Sequence, residues 1–455
     1  MYNTNLHFHF TGIGGSGMSG IAEILLELGF KVSGTDQKNS SVVEYLVRKG
    51  AIISIGHSAS YLPEKASLLV YSSAVTFENP EIVEAKRRGL PVVRRAEVLA
   101  ELMRLKFGVG VAGSHGKTTT TTMLAGMLEQ GKLDPTVIIG GQVRSQESGA
   151  RVGKSEYLVA ETDESDRSFL LLKPTVAIVT NIDTEHLHAY ENFNELQTSF
   201  AQFVNEIPFY GLAVLCIDDP HVRALAATLK KRMVTYGQSP DAMVRPVNIK
   251  QVKGGTHFDV QINGEFFASV QLPVPGLHLM LNSLAAISVA REFGVTAEII
   301  AKSLNEFPGV HRRTEVCGTV RDVTVINDYG HHPTEIRATL AAVKSGWIDE
   351  GKKLHVLFQP HRYSRTKDCF VDFLKCFEDA SSVTVTDIYA ASEEPIEGVS
   401  SQILVEALLH SDKHYIGDIE DAARKLVAIA ESGDVILCLG AGSIGAAPRI
   451  LLELL

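Results

Sequence analysis

Gly113-Ser114-His115-Gly116-Lys117-Thr118-Thr119 follows an apolar run, Phe107 to Ala112, and opens a threonine-rich stretch. At such a strand-to-helix turn the backbone N–H groups can cradle phosphates. Lys117 can neutralise the β and γ oxygens of a nucleoside triphosphate, and Thr118 can ligate Mg2+. The stretch departs from the full GxxxxGK[ST] pattern, with Val111 where the first glycine belongs; its context still points to ATP. Nearer the N-terminus, Gly12-Ile13-Gly14-Gly15-Ser16-Gly17 follows a predicted strand and opens a helix, with Asp36 at the end of the next strand. Glycines there let the backbone approach a diphosphate at a helix N-terminus, and the acid can address a sugar. The same spacing recurs at Gly440-Ala441-Gly442-Ser443-Ile444-Gly445, where a plain strand–helix turn is the simpler reading. A dehydrogenase has no need of Lys117, and a simple ATPase has no need of the first loop. A ligase or kinase acting on a nucleotide-linked substrate uses both.

Two acidic runs and two histidine-bearing runs also sit at predicted strand ends. Glu161-Thr162-Asp163-Glu164-Ser165-Asp166 follows the strand Tyr157 to Ala160. Residues just past the carboxyl ends of strands face the ligand crevice of an open α/β sheet, and carboxylates there suit Mg2+. The bland alternative is a solvated acidic loop. Asn181-Ile182-Asp183-Thr184-Glu185-His186 ends the next strand, so His186 can join a metal shell or touch a γ-phosphate, or be structural. Farther on come Asn327-Asp328-Tyr329-Gly330-His331-His332 and Phe358-Gln359-Pro360-His361-Arg362-Tyr363-Ser364-Arg365. The histidines and the Arg-x-x-Arg pair can converge on one carboxylate, which the planar guanidinium fork binds through two hydrogen bonds. Loop capping and surface salt bridges are the alternatives.

The elements that position these groups form three successive series of short strands and amphipathic helices. Leu6–Phe10, Lys31–Ser33, Ala51–Ser54, Leu68–Tyr71 and Pro91–Val93 read as strands of the first series. Phe107–Ala112 starts a second series that runs to about Gly309, with a β-rich insert near residues 243 to 273. Val323–Ile326, Leu354–Phe358, Val383–Thr386 and Val435–Leu439 belong to the third. Alternating strands and helices imply parallel βαβ units, hence an α/β fold of three domains in 455 residues. The domains are a Rossmann-like N-terminal domain, a central P-loop ATPase-like domain with a parallel sheet, and a Rossmann-like C-terminal domain. The net charge of −10 disfavours nucleic acid or an anionic membrane as partner. No apolar run is long enough to span a bilayer, and Met1-Tyr2-Asn3-Thr4-Asn5 lacks the features of a signal peptide. Five cysteines without a CxxC pair read as reduced, buried thiols in a cytoplasmic enzyme.

Taken together and in order, these residues resemble the Mur ligase family. The resemblance runs through Gly12–Gly20, Gly113–Thr120, Glu161–Phe169, Asn181–His186, Gly276–Ala286, Gly309–Arg313, Asp328–Glu335 and Phe358–Thr366. It implies a UDP-sugar domain (1–106), an ATP domain (107–312) and an amino-acid domain (313–455). It also implies the UDP diphosphate at Gly14, Gly15, Ser16, Gly17, Met18 and Ser19, with Asp36, Ser72 and Ser73 near the nucleoside. ATP falls to Gly113–Thr119, Asn282 (adenine), Asp328 (ribose) and Arg313 (phosphates). Thr118, Glu161 and His186 match the metal positions, and His331, His361, Arg362 and Arg365 the L-alanine and transfer site. Three positions depart from the family pattern. Leu279 stands after His278 where Asn is usual, and Thr314 follows the arginine pair where an aromatic is common. Phe200 occupies the place at which several sister ligases carry a carbamylated lysine, and no lysine lies between Lys173 and Lys230. That absence suits the alanine-adding branch and disfavours the D-glutamate and diaminopimelate branches.

The activity so implied is ATP- and Mg2+-dependent ligation of L-alanine to the lactyl carboxylate of UDP-N-acetylmuramate through an acyl phosphate, in peptidoglycan synthesis. Lys117, Glu161, His186, Arg362 and Arg365 would act on the reacting groups, with His331 as base for the amine. The expected assembly is a monomer or weak homodimer. Rival readings are a ligase that attaches a whole tripeptide, a nicotinamide dehydrogenase built on the first loop, and a non-catalytic nucleotide-binding regulator.

Overall fold

The computed structural model describes residues 5–15, 17–72, 74–139, 150–185 and 189–455. The chain forms two units: one of residues 1–247, 259–270 and 281–304, the other of 248–258, 271–280 and 305–455. The first unit holds two sheets and the second holds one.

In the N-terminal sheet, β1 (His7–Thr11), β2 (Lys31–Asp36), β3 (Ile52–Ile55), β4 (Leu68–Tyr71) and β5 (Val92–Arg94) lie in the order β3-β2-β1-β4-β5. All pairs are parallel, because helices such as Met18–Glu27 and Pro80–Arg87 carry the chain back between strands. The order reverses between β1 and β4, which opens the crevice where such folds bind ligands. Beneath it lies Glu81, fully buried. Its carboxylate accepts from Thr11 Oγ1 at 2.9 Å and Thr35 Oγ1 at 2.8 Å, and meets His9 Nε2 at 3.2 Å and His57 Nδ1 at 3.1 Å. A charge taken from water needs this many partners; here one carboxylate ties together the ends of two strands.

The second sheet contains β6 (Phe107–Ala112), β7 (Thr136–Ile138), β8 (Ala150–Arg151), β9 (Tyr157–Glu161), β10 (Val176–Val179), β11 (Leu212–Cys216) and β12 (Met233–Tyr236). They run β12-β11-β10-β6-β9-β7-β8, parallel but for β8. Because β6 lies between β9 and β10, the loop after it is flanked by Glu161 on one side and Asn181 on the other. The β-rich insert is β13 (Val244–Val252), β14 (Gly255–Ile262) and β15 (Glu265–Leu272); β13 joins β12 through Tyr236 and Val244.

The second unit is built on β16 (Glu315–Val320), β17 (Val323–Asp328), β18 (Leu354–Phe358), β19 (Ser382–Val385), β20 (Lys413–Tyr415) and β21 (Val435–Leu439). Their order is β16-β17-β21-β18-β19-β20. Only β16 is antiparallel, an edge strand absent from the sequence expectation. Its hairpin turns on Arg321 and Asp322, both at positive φ (49° and 62°), without the glycine that usually betrays such a turn. This edge also corrects the cysteine reading. Cys216, Cys369, Cys376 and Cys438 are buried, but Cys317 on β16 is exposed. Among the described residues no helix is long and apolar enough to cross a membrane.

Candidate active site

The first glycine loop leaves β1 at Gly12 and enters the helix Met18–Glu27 through Gly17, whose φ is +75°. A Cβ at Gly17 would lie 2.1 Å from Arg95 Nη1, so the glycine lets a guanidinium reach the helix N-terminus. Arg95, at the start of the helix Arg95–Arg104, also lies 3.7 Å from Asp163. Asp36 does more than wait for a sugar: its Oδ2 accepts from Gly14 N–H at 2.8 Å. Met18 and Ser19 turn their side chains into the protein (1% and 7% exposed), and their N–H groups bond to Gly15 O. Ser72 directly follows β4, its Oγ accepting from Ala74 N–H. A cavity of about 280 Å3 opens beside these groups, lined by Tyr71, Val75, Phe77, Arg94, Arg95 and Asp166 among others. Ser16 and Ser73 lie outside the described residues.

At the second loop Gly116 (φ +84°) admits Lys117 as the first residue of the helix Lys117–Gln130. A Cβ there would meet Asn282 Oδ1 at 2.5 Å, which places buried Asn282 on the loop itself. Lys117 Nζ donates to Gly113 O at 2.6 Å and to both oxygens of Glu164 at 2.9 and 2.8 Å. Glu164 is only 1% exposed. Burial pulls the Lys117 pKa down, but the charges of Glu164 and Glu161 outweigh it and hold the ammonium well above its ordinary range. Thr118 Oγ1 donates to Glu161 Oε2 at 2.9 Å. Ser114, His115 and the neighbouring strand end are laced together: Asp183 N–H donates to Ser114 Oγ, His115 N–H to Asn181 Oδ1, and His115 Nε2 meets Asp183 Oδ2 at 3.0 Å. Thr119 is buried behind the loop. Phe200 is fully buried, edge-on to Phe169 with ring centroids 5.2 Å apart; that position belongs to the core. His186 lies outside the described residues.

The second unit gathers the third set. Asp328, at the end of β17, spends both oxygens on backbone: Oδ2 accepts from Thr314 N–H at 2.6 Å and Oδ1 from Gly330 N–H at 2.7 Å. Arg313 Nη1 donates to Glu335 Oε1 at 3.1 Å, and its guanidinium lies over Tyr329. His332 caps the helix Pro333–Trp347. His331 Nδ1 lies 3.0 Å from Tyr329 O; since a carbonyl only accepts, the proton sits on Nδ1 and the lone pair of the neutral ring on Nε2. His361 is 5.7 Å from His331 by ring centroids and lies stacked on Tyr389. Arg365 Nη1 donates to His361 Nδ1 at 3.1 Å. Burial, then the charges of His331, Arg365 and Arg362, drive the His361 pKa down to about 3. Arg362 stands at φ 70°, ψ 140°, a conformation an L side chain rarely adopts. Among the described residues, its buried Nε has no hydrogen-bond partner. Such a concentration of donors and positive charge suits a carboxylate. The other glycine loop, Gly440–Gly445, is filled by the chain's own groups. Arg312 Nη2 donates to Gly440 O, and Gln359 Oε1 accepts from Ile444 N–H.

Sequence reasoning missed Arg95, Glu164 as partner of Lys117, and Tyr389. Only Arg95 left a signal, an arginine pair directly after a strand.

Comparison with known proteins covers the whole chain. Residues 7–107 match the Mur ligase family catalytic domain, 111–290 the Mur ligase middle domain, and 312–442 the Mur ligase glutamate ligase domain. A UDP-N-acetylmuramate–L-alanine ligase of Geotalea daltonii is 47% identical, covering 100% of this chain and 99% of that one. One from Geobacter sulfurreducens is 48% identical over 98% of this chain and 96% of its own. Among solved structures, the UDP-N-acetylmuramate-alanine ligase of Thermotoga maritima superposes with a TM-score of 0.82 at 29% identity, covering 99% of each chain. A murein peptide ligase of Psychrobacter arcticus shares the fold, with a TM-score of 0.70 at 24% identity over 99% of this chain and 98% of its own.

Proposed function

This chain belongs to the Mur ligase family, and on that premise we propose that it joins L-alanine to the lactyl carboxylate of UDP-N-acetylmuramate, turning ATP into ADP and phosphate. The product is a peptidoglycan precursor. One observation carries the choice of substrates: the end-to-end match at 47% identity to an enzyme of that name. The family uses ATP, and the loop at Lys117 offers the means.

A carboxylate and an amine do not condense in water unaided. The lactyl carboxylate oxygen attacks the γ-phosphorus, the bond to ADP breaks, and an acyl phosphate results. The uncharged amine of L-alanine then attacks the carbonyl carbon, passes a proton to a base, and phosphate leaves. Lys117 takes up the charge of the transferring phosphoryl group, and the loop N–H groups orient it. Thr118 Oγ1 and Glu161 Oε2, 2.9 Å apart, are hard oxygen donors of the kind Mg2+ prefers. They would hold that ion, which neutralises phosphate charge when bound. Arg362 and Arg365 would bind the L-alanine carboxylate, and the Nε2 lone pair of His331 would receive the amine proton. Gly14, Gly17 and Arg95 would meet the UDP diphosphate. We place this reaction in the cytoplasm, with the enzyme a monomer or weak homodimer.

Phosphate release from ATP, with Mg2+, UDP-N-acetylmuramate and one amino acid at a time, tests the proposal. Release should require both UDP-N-acetylmuramate and L-alanine and vanish in Lys117→Ala. Release only with a tripeptide would move the chain to the tripeptide-adding branch, and NAD binding without ATP use would revive the dehydrogenase reading.

A further inference from the structure

The backbone of Arg362 is held from both sides. Its N–H donates to Tyr389 O at 2.8 Å, while Tyr389 N–H donates to Pro360 O at 2.9 Å, so the two segments bracket His361 as a short parallel bridge. On the other side, Arg362 O accepts from Thr366 N–H at 3.2 Å and from Thr366 Oγ1 at 2.8 Å. The segment that supplies Tyr389 is itself constrained: Ala391 and Ser392 both have positive φ (49° and 70°), and Glu393 N–H closes the turn onto Ala390 O. Glu393 then reaches back, its carboxylate accepting from Ser364 N–H at 3.0 Å and Ser364 Oγ at 2.6 Å. The Tyr389 ring lies flat on His361, 12° between planes. A non-glycine residue stays at φ 70° only where its surroundings over-determine it, and here the His361 ring, the Arg362 backbone and the Ser364 side chain are all held by one five-residue segment.

We propose that Tyr389–Glu393 is a strap that holds Arg362 in its strained conformation and so aims the guanidinium at the carboxylate of the incoming amino acid, making Tyr389 and Glu393 positioning residues for L-alanine. The strap rests on the reading of this cluster as the amino-acid site. Without it Arg362 relaxes toward ordinary backbone angles, and the orphaned Nε no longer points where a carboxylate would meet it. The consequence falls on one substrate alone, since the residues assigned above to ATP and to the UDP-sugar lie outside this segment.

The test measures kcat and the KM of each of the three substrates in Tyr389→Ala, Glu393→Ala, Tyr389→Phe and Glu393→Gln, with thermal melting alongside. Both alanine variants should raise the L-alanine KM by about 10-fold or more, with the ATP and UDP-N-acetylmuramate values moving by less than about 2-fold. Tyr389→Phe, which keeps the stack, and Glu393→Gln, which keeps an acceptor for Ser364, should recover most of the loss. An unchanged L-alanine KM in both alanine variants overturns the strap, as does a rise of all three KM values together. If an alanine variant fails to fold, Tyr389→Leu and Glu393→Met, which keep the bulk but not the contacts, carry the same comparison. Unsubstituted protein that turns over ATP without any need of L-alanine overturns the functional reading itself, and shows it before any variant is made.

Discussion

Lys117 and Arg362 are both cations set just past the end of a parallel strand, yet they sit in opposite electrostatic states. Lys117 is already neutralised by both oxygens of Glu164 and by a loop carbonyl. Arg362 stands near the Arg365 guanidinium and an uncharged His361, on a strained backbone, and among the described residues its buried Nε has no hydrogen-bond partner. The first site has its counter-charge built in, so any anion arriving there competes with a carboxylate for the ammonium. The second has a carboxylate in Glu393, but that group is bonded to Ser364, which leaves a guanidinium donor of Arg362 for a ligand to complete. The lesson concerns where selectivity arises. A site that exchanges partners discriminates by displacement, whereas a site with unpaid donors discriminates by completion.

The comparison breaks most visibly at Lys117. Replacing it by alanine should lower the rate of phosphate release about 1,000-fold or more, because the loop then loses the ammonium that would meet the transferring charge; a loss below about 10-fold would remove Lys117 from the reacting groups. Arg365→Ala should raise the L-alanine KM by about 100-fold with the ATP KM little changed, as expected for losing one arm of a carboxylate clamp. Glu164→Gln sharpens the contrast in the other direction. With the competing charge gone, ATP should bind about 3- to 10-fold more tightly by calorimetry, while the nucleotide-free protein melts at a lower temperature because a buried ammonium has lost its partner. Weaker ATP binding in that variant would mean that Glu164 orients Lys117 for the nucleotide rather than withholding it. The smallest effect concerns pH. The His361 pKa is depressed to about 3 from its ordinary 6.5, so below pH 6.5 the unfolded chain takes up a proton that the folded one refuses. Stability should therefore be fully present above 6.5 and fall progressively toward pH 3. His361→Asn should flatten that slope in urea melts run from pH 7 to 4, and an unchanged slope would show that other groups set it.

Much of this was legible in the chain because strand ends are. Apolar runs such as Leu354–Phe358 and Val435–Leu439 matched observed strands residue for residue, and the glycine, acid and histidine clusters followed directly after them. What the chain did not reveal was which way side chains turn. Glu161 and Glu164 stand three apart in one acidic run, yet one meets Thr118 and the other is sealed against Lys117. Met18 and Ser19 share a motif with Gly14 but face the core, because they already belong to the helix. Arg95 reaches Gly17 across seventy-odd residues of chain, a contact made by β5 lying next to β4 and not by any local spacing. The β16 hairpin hid because Arg321 and Asp322 do without glycine what glycine usually does there.

Phe200 has one more consequence. A lysine carbamate forms only by taking up dissolved carbon dioxide, and it persists only while that gas is present. With a phenyl ring packed against Phe169 at that position, residue 200 offers no amine that could take up carbon dioxide.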